Sequence, residues 1–175
     1  LNKKVKKIKY YIRDFKDTKI LKKIHTVIHL AAIANDPSAE LNPKLSWEVN
    51  VLGTMNIINL AINCGVKKFF FASSGSVYGI KKEKKVHENL PLKPISEYNK
   101  TKMIGERIVL SYKEKIQTVI IRPATVCGWS NNNRFDVTVN ILTKDAITKS
   151  KINIFGGKQY RPNLHIKDMI RIYEF

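Results

Sequence analysis

Cysteine is almost absent from this chain: Cys64 and Cys127 are the only two in 175 residues, both inside apolar segments and without metal-ligand spacing. That excludes a disulfide framework and a cysteine-based zinc cluster, and a reducing cytoplasm is the expected setting. The four histidines (His25, His29, His87 and His165) form no ligand cluster, and no metal site is expected. No apolar run approaches the length of a membrane span, no signal peptide opens the chain, and no membrane partner is expected. Arginine is scarce, six against 26 lysines, although the net charge is +18. Phosphate and base readers favour the planar guanidinium fork, and no aromatic residues alternate with the lysines as a stacking platform. A nucleic-acid partner is therefore not expected, while a positive field would draw in an anionic substrate. Glycine is sparse, and the first is Gly53. With Leu1 in place of Met and a helical pattern running into Phe175, the chain reads as a fragment truncated at both ends.

The pattern that is present alternates strand and helix. Residues 8–12 read as a short strand and 14–23 as a polar helical stretch. Thr26-Val27-Ile28-His29-Leu30-Ala31-Ala32 has the apolar character of a buried parallel strand. A helix is predicted over 43–63, with Val49, Leu52, Met55, Ile58 and Ile62 on its apolar face and Gly65 as its stop. Strand 67–72, helix 97–115 capped by Ser96, and strand 118–122 follow. Such alternation implies a parallel sheet covered on both faces, an α/β domain. After Gly128 the character changes to a polar loop over 129–134, a helix over 136–149, a short strand over 152–155 and a final helix led in by 164–168. The expected division is 1–128 and 129–175.

Chemistry concentrates between Phe70 and Lys102. A strand ends in Ala72-Ser73-Ser74, and a helix opens with Tyr98 four positions before Lys102. One helical turn puts the phenol and the ammonium on one face, and ligands of open parallel sheets bind beyond the carboxyl ends of the strands. An unperturbed phenol titrates near pH ~10, so a base ionised at neutral pH needs a shift of about 3 units, roughly 4 kcal/mol. A close ammonium supplies attraction of the right sign. Ser74 would hold and polarise the reacting hydroxyl. A second Tyr-x-x-x-Lys, Tyr78 with Lys82, falls after Gly79 on a loop and reads as a chance match.

These segments together resemble the extended short-chain dehydrogenase/reductase superfamily, in its NAD-dependent epimerase/dehydratase branch acting on nucleotide sugars. Tyr11-Ile12-Arg13-Asp14, Val27 to Ala32, Asn50-Val51-Leu52-Gly53-Thr54 and Arg161 to Asp168 agree with that family in order and spacing. The resemblance implies catalytic roles for Ser74, Tyr98 and Lys102, and NAD-side positions at Ile12, Leu30, Ala31, Ala32 and Asn50 in addition to Tyr98 and Lys102. It implies substrate-side positions at Ser74, Thr125, Phe155 (on the nucleotide base) and Arg161 (on the diphosphate). Leu30 and Phe155 are equally readable as core, Asn50 as a cap at a bent helix, and Arg161 as a surface cation. The implied fold is a Rossmann-type doubly wound sheet lacking its first βαβ, followed by the start of a small substrate-binding subdomain.

The family's Gly-x-x-Gly-x-x-Gly loop, which wraps the pyrophosphate at a helix N-terminus, is missing, and Tyr11 stands where the family carries Asp. The implied function is a nucleotide-sugar epimerase acting at C4, cytoplasmic, with NAD as cofactor and a homodimeric parent. The alternatives are a dehydratase or net oxidoreductase of the same family, or a non-catalytic remnant. Gly75 and Ser76 stand where a 4,6-dehydratase needs carboxyl groups, which argues against dehydration.

Overall fold

The structure is a computed structural model and describes residues 9–83 and 85–174. It forms two compact units, one ending at Ile121 and one running from Arg122. The division thus falls ahead of the 128/129 boundary expected from the change in character.

The first unit is built on three parallel strands in the order β1 (Thr26–His29), β2 (Lys68–Ala72) and β3 (Gln117–Ile121). The register sets Ile28 beside Phe70 and Phe70 beside Val119. β2 is central, and its run Phe69-Phe70-Phe71 is buried throughout, as a strand covered on both faces requires. Phe69 and Phe71 join Ile57, Ile58, Ala61, Val66, Val109 and Ile116 in one apolar cluster.

The helix expected over 43–63 is continuous but not uniform. It comprises α3 (Pro43–Trp47), five residues in π-helical conformation (Glu48–Leu52), and α4 (Gly53–Asn63). The wider turn shifts the apolar face. Asn50, Val51, Thr54, Ile57, Ile58 and Ala61 are buried, whereas the expected face residues Leu52 and Met55 are 52% and 41% exposed. Leu52 stands in the π turn, and within α4 the buried face runs through Thr54, Ile57, Ile58 and Ala61, with Met55 beside it. Gly65 ends α4 as predicted: at φ +78° it lets Val66 N–H reach the Ala61 carbonyl and its own N–H reach that of Ile62 (both 3.0 Å).

The strand expected over 8–12 does not form in its described part; Ile8 lies outside the described residues. Ile12–Asp14 instead make a short 3-10 turn. The Asn56 side chain donates to the carbonyls of Ile12, Arg13 and Phe15 (3.3, 3.4 and 3.0 Å), and backbone groups engaged in this way are lost to a sheet. The polar helix predicted after it contracts to α1 (Thr18–Leu21), capped by Asp17. A further short helix, α2 (Asp36–Leu41), is capped by Asn35. The long helix α5 (Glu97–Ser111) starts at its predicted cap, Ser96 Oγ accepting from Asn99 N–H at 3.2 Å.

The second unit pairs β4 (Thr125–Cys127) in parallel with β5 (Asn163–His165), joined through α6 (Thr138–Lys149) and followed by α7 (Ile166–Glu174). The strand expected over 152–155 is not formed; these residues are exposed loop, and β5 takes the place beside β4. Among the described residues, no helix is long and apolar enough to cross a membrane.

Candidate active site

In the first unit the polar groups gather where β2 ends. Ala72 closes the strand, and Ser74 caps a 3-10 turn over Gly75–Tyr78, its hydroxyl accepting from Ser76 N–H at 3.2 Å. Ser76 Oγ donates to Asn99 Oδ1 and lies 2.7 Å from Ser74 Oγ. Ser76 has one hydroxyl proton and spends it on Asn99, so Ser74 is the donor of that pair. The result is a directed chain from Ser74 through Ser76 to α5.

The N-terminal turn of α5, which carries Tyr98, is fastened on several sides. Ser96 Oγ donates to Asp36 at 2.5 Å, Trp47 Nε1–H donates to Glu97 at 3.0 Å, and Lys100 pairs with Glu97 at 2.7 Å. These bonds hold the first turn of the helix against α2 and α3. Tyr98 itself is half-buried.

Lys102 is only 4% exposed. Its Nζ donates to the Ala72 carbonyl at 2.8 Å and stands 5.9 Å from the centroid of the Tyr98 ring and 5.2 Å from that of Phe71. Burial among these groups pushes its pKa down to about 8. An amine poised there switches between charged and neutral forms close to physiological pH.

His29 ends β1 fully inside, its ring tilted against Phe69 and Phe71 and its Nε2 2.9 Å from Thr54 Oγ1. Thr54 donates its own proton to the Asn50 carbonyl at 2.6 Å, so His29 must donate through Nε2 and is the neutral Nε2–H tautomer. Burial first, then the Lys102 charge, lowers its pKa to about 4.

Of the positions expected on the cofactor side, Leu30 (58% exposed) and Ala31 lie open at the carboxyl end of β1 and Ala32 is half-buried, so Leu30 is not core. Asn50 sits in the π turn with its amide engaged by protein. Oδ1 accepts from Ile33 N–H at 2.8 Å, and Nδ2 donates to the Ile33 carbonyl and to Thr101 Oγ1 at 3.1 and 3.0 Å. It fixes the loop after β1 against α5, as the reading of a cap at a bent helix requires. Ile12 packs on α4, where a Cβ on Gly53 would meet its Cγ2 at 2.9 Å. Tyr78 and Lys82 share no helix, the first buried in the 3-10 turn and the second on an exposed loop.

In the second unit Thr125 opens β4, its N–H 3.3 Å from the Pro162 carbonyl. Phe155 is 86% exposed, which removes the reading of a core side chain, and Arg161 is exposed two residues before β5.

Sequence reasoning passed over Ser73, Asn99, Glu106 and His29. A signal for two of them existed: Asn99 and Glu106 stand three before and four after Lys102, polar side chains on the stripe of α5 that Lys102 occupies.

Comparison with known proteins places the chain in a family. The chain is 30% identical over 188 residues to a UDP-glucose 4-epimerase of Lactobacillus helveticus, covering 94% of this chain and 57% of that one. It is 32% identical over 179 residues to a UDP-glucuronate 4-epimerase of Thermodesulfobacterium geofontis, covering 97% and 54%. Among solved structures, a UDP-glucuronic acid 4-epimerase from Bacillus cereus, in complex with UDP-glucuronic acid and NAD, superposes with a TM-score of 0.78 at 31% identity, over 91% of this chain and 51% of that one. A UDP-N-acetylglucosamine 4-epimerase from Methanobrevibacter ruminantium M1, in complex with UDP-N-acetylmuramic acid, gives 0.83 at 27%, over 94% and 55%. The fold is therefore the Rossmann-type α/β fold of these epimerases. Residues 5–175 match the NAD dependent epimerase/dehydratase family, and the chain belongs to it. It spans about half the length of the relatives it matches.

Proposed function

We propose that this chain carries the catalytic part of an NAD-dependent nucleotide-sugar epimerase that inverts the sugar at C4. The observation that carries the reading is the buried Lys102, held at the Ala72 carbonyl beside the Tyr98 ring and next to the turn that presents Ser74. NAD would supply the hydride acceptor and donor for the sugar carbon, and Leu30, Ala31, Ala32, Tyr98 and Lys102 are the residues of this chain that would lie on its side of the site. Tyr98 takes the proton of the same carbon's hydroxyl and gives it back after the keto sugar has turned over. Lys102, charged below its depressed pKa, favours the phenolate. Ser74 points its proton at Ser76 and accepts from Ser76 N–H; because the one proton of the sugar hydroxyl goes to Tyr98, Ser74 would hold that hydroxyl by turning its own proton from Ser76 to the sugar oxygen.

The residues of this chain fit only one side of the cofactor. The small side chains at the end of β1, exposed Ala31 and half-buried Ala32, admit a flat ring close to the backbone, and the chain has no glycine-rich turn to cradle a pyrophosphate. Thr125, Phe155 and Arg161 are assigned to the nucleotide sugar, residues 129–175 to the substrate region and 1–128 to the cofactor region. Leu52 and Met55, exposed on one side of the α3–α4 helix, suit a homodimer, which the molar mass measured by light scattering would test; two cysteines outside any disulfide suit a reducing cytoplasm.

The test is interconversion of UDP-glucose and UDP-galactose, and of the UDP-glucuronate pair, by the full-length protein, followed by proton NMR. Tyr98→Phe should abolish turnover with substrate affinity nearly unchanged, and Tyr78→Phe should keep most of it. The reverse ranking would remove the assignment of Tyr98.

A further inference from the structure

Glu106 is 1% exposed, yet it is a carboxylate on a helix packed against a phenylalanine strand. Burying such a group costs several kcal/mol unless it is well partnered. It accepts a hydrogen bond from Ser73 Oγ, the residue immediately before Ser74. The approach that permits this is unusually close: a Cβ on Gly105 would lie 2.5 Å from the Phe71 ring, so α5 rests on β2 at a glycine and the next side chain reaches Ser73.

The contact does not stand alone. Asn99, Lys102 and Glu106, spaced by three and four, form one stripe along α5. Asn99 accepts from Ser76, Lys102 donates to the Ala72 carbonyl, and Glu106 accepts from Ser73. The helix that carries Tyr98 thus grips residues on both sides of Ser74. Ser73 N–H is also bound, to the Ile121 carbonyl at 2.8 Å, which ties the same residue to β3.

We propose that Glu106 is a positioning residue: by anchoring the Ser73 hydroxyl to α5 it sets where Ser74 stands relative to Tyr98 and Lys102. Its use in catalysis rests on the epimerase reading; the positioning itself does not. Because the anchor is an acceptor, an amide oxygen can replace the carboxylate.

The experiment compares Glu106→Gln, Glu106→Ala, Ser73→Ala and the double alanine variant by amide hydrogen exchange and by turnover. The reporting amides are Ser76, Val77 and Gly79, which bond to Ser74 Oγ, the Ser74 carbonyl and the Ser76 carbonyl; Gly65 and Val66 at the end of α4 are the control. Glu106→Ala and Ser73→Ala should each speed exchange at the reporting amides tenfold or more and spare the control. Glu106→Gln should stay within threefold of wild type, and the double variant should be no worse than either single one. Turnover should follow, with kcat down tenfold or more in the alanine variants and KM for the nucleotide sugar unchanged. Wild-type exchange in Ser73→Ala, additive single effects, or equal acceleration at Gly65 and Val66 would each overturn the proposal. Should Glu106→Ala fail to fold, Ser73→Ala and Glu106→Gln still decide it. A wild-type protein without turnover but with the expected exchange pattern in the variants would sink the epimerase reading and leave the positioning supported.

Discussion

Lys102→Met isolates the thermodynamic cost of the candidate site. The ammonium is buried, and its pKa falls from 10.5 to about 8 in the folded protein because burial disfavours the charged form. That depression of about 2.5 units, at 1.36 kcal/mol each, corresponds to about 3 kcal/mol. The unfolded chain binds the proton more tightly between pH 8 and 10.5, so stability rises with pH through that window. Below pH 8 the full cost is present and constant. Methionine keeps the length of the lysine stem and cannot titrate, so its stability carries no such step. At pH 7 the variant escapes the burial cost but loses a charge-assisted bond to the Ala72 carbonyl, worth about 1.5–3 kcal/mol, and the two nearly cancel. Raising the pH to 10.5 should therefore stabilise wild type relative to the variant by about 3 kcal/mol. Urea unfolding by circular dichroism at half-unit steps from pH 7 to 10.5 measures this, run in the Tyr98→Phe background so that the neighbouring phenol does not enter the difference. Curves that run parallel within about 1 kcal/mol would refute the desolvated lysine and, with it, the poised amine beside Tyr98.

Three more expectations follow from other parts of the fold. His29, with a folded-state pKa of about 4 against 6.5 unfolded, lets the unfolded chain take up a proton first, so stability should fall by about 3 kcal/mol as pH drops from 6.5 to 4; the same titration on His29→Gln should be flatter by that amount. Gly105→Ala drives a methyl to 2.5 Å from the buried Phe71 ring and should cost about 1–3 kcal/mol in urea unfolding, partly recovered by Phe71→Leu; an unchanged midpoint would show that α5 does not rest on β2 so closely. Arg161→Ala in the full-length protein should weaken nucleotide-sugar binding by about 1.5–3 kcal/mol and spare NAD, measured by calorimetry; the opposite pattern would move Arg161 out of the substrate half.

The cost assigned to Lys102 bears on how the site is to be understood. The bond to the Ala72 carbonyl offsets most of the burial cost, which is how a desolvated ammonium is kept at a helix position facing Phe71. His29 and Glu106 add two further buried polar groups within the same layer between the sheet and the helices. The second unit differs: its candidate residues Phe155 and Arg161 are exposed, and they carry no comparable burial cost.

What the sequence by itself determined is the set of features encoded in short windows. Ser96 caps α5 because a hydroxyl three residues before a free amide is a local event; Gly65 ends α4 because only its left-handed backbone closes the final carbonyls; Tyr98 and Lys102 share a face because they are one turn apart. The central strand β2 announced itself through a continuous apolar run, whereas β1 and β3, also expected to be buried, lie at the sheet edges and are largely only half-buried, Ile28 being 43% exposed. Only the tertiary structure decided what lies across from each window. A three-residue strand has too little pattern to name its partner, so β4 pairs with 163–165 and not with 152–155. The π turn at Glu48–Leu52 is inserted where Asn50 must reach Ile33 and Thr101, contacts distant in sequence, and Leu52 within it faces outward. Ile12, the last residue of the strand expected over 8–12, instead opens a 3-10 turn whose carbonyls are taken by the Asn56 side chain, a contact distant in sequence. Glu106 and His29 look like ordinary surface and strand residues until the helix closes on β2, because the burial of a polar side chain is set by the neighbours that surround it and by the partners they offer, Ser73 for the one and Thr54 for the other.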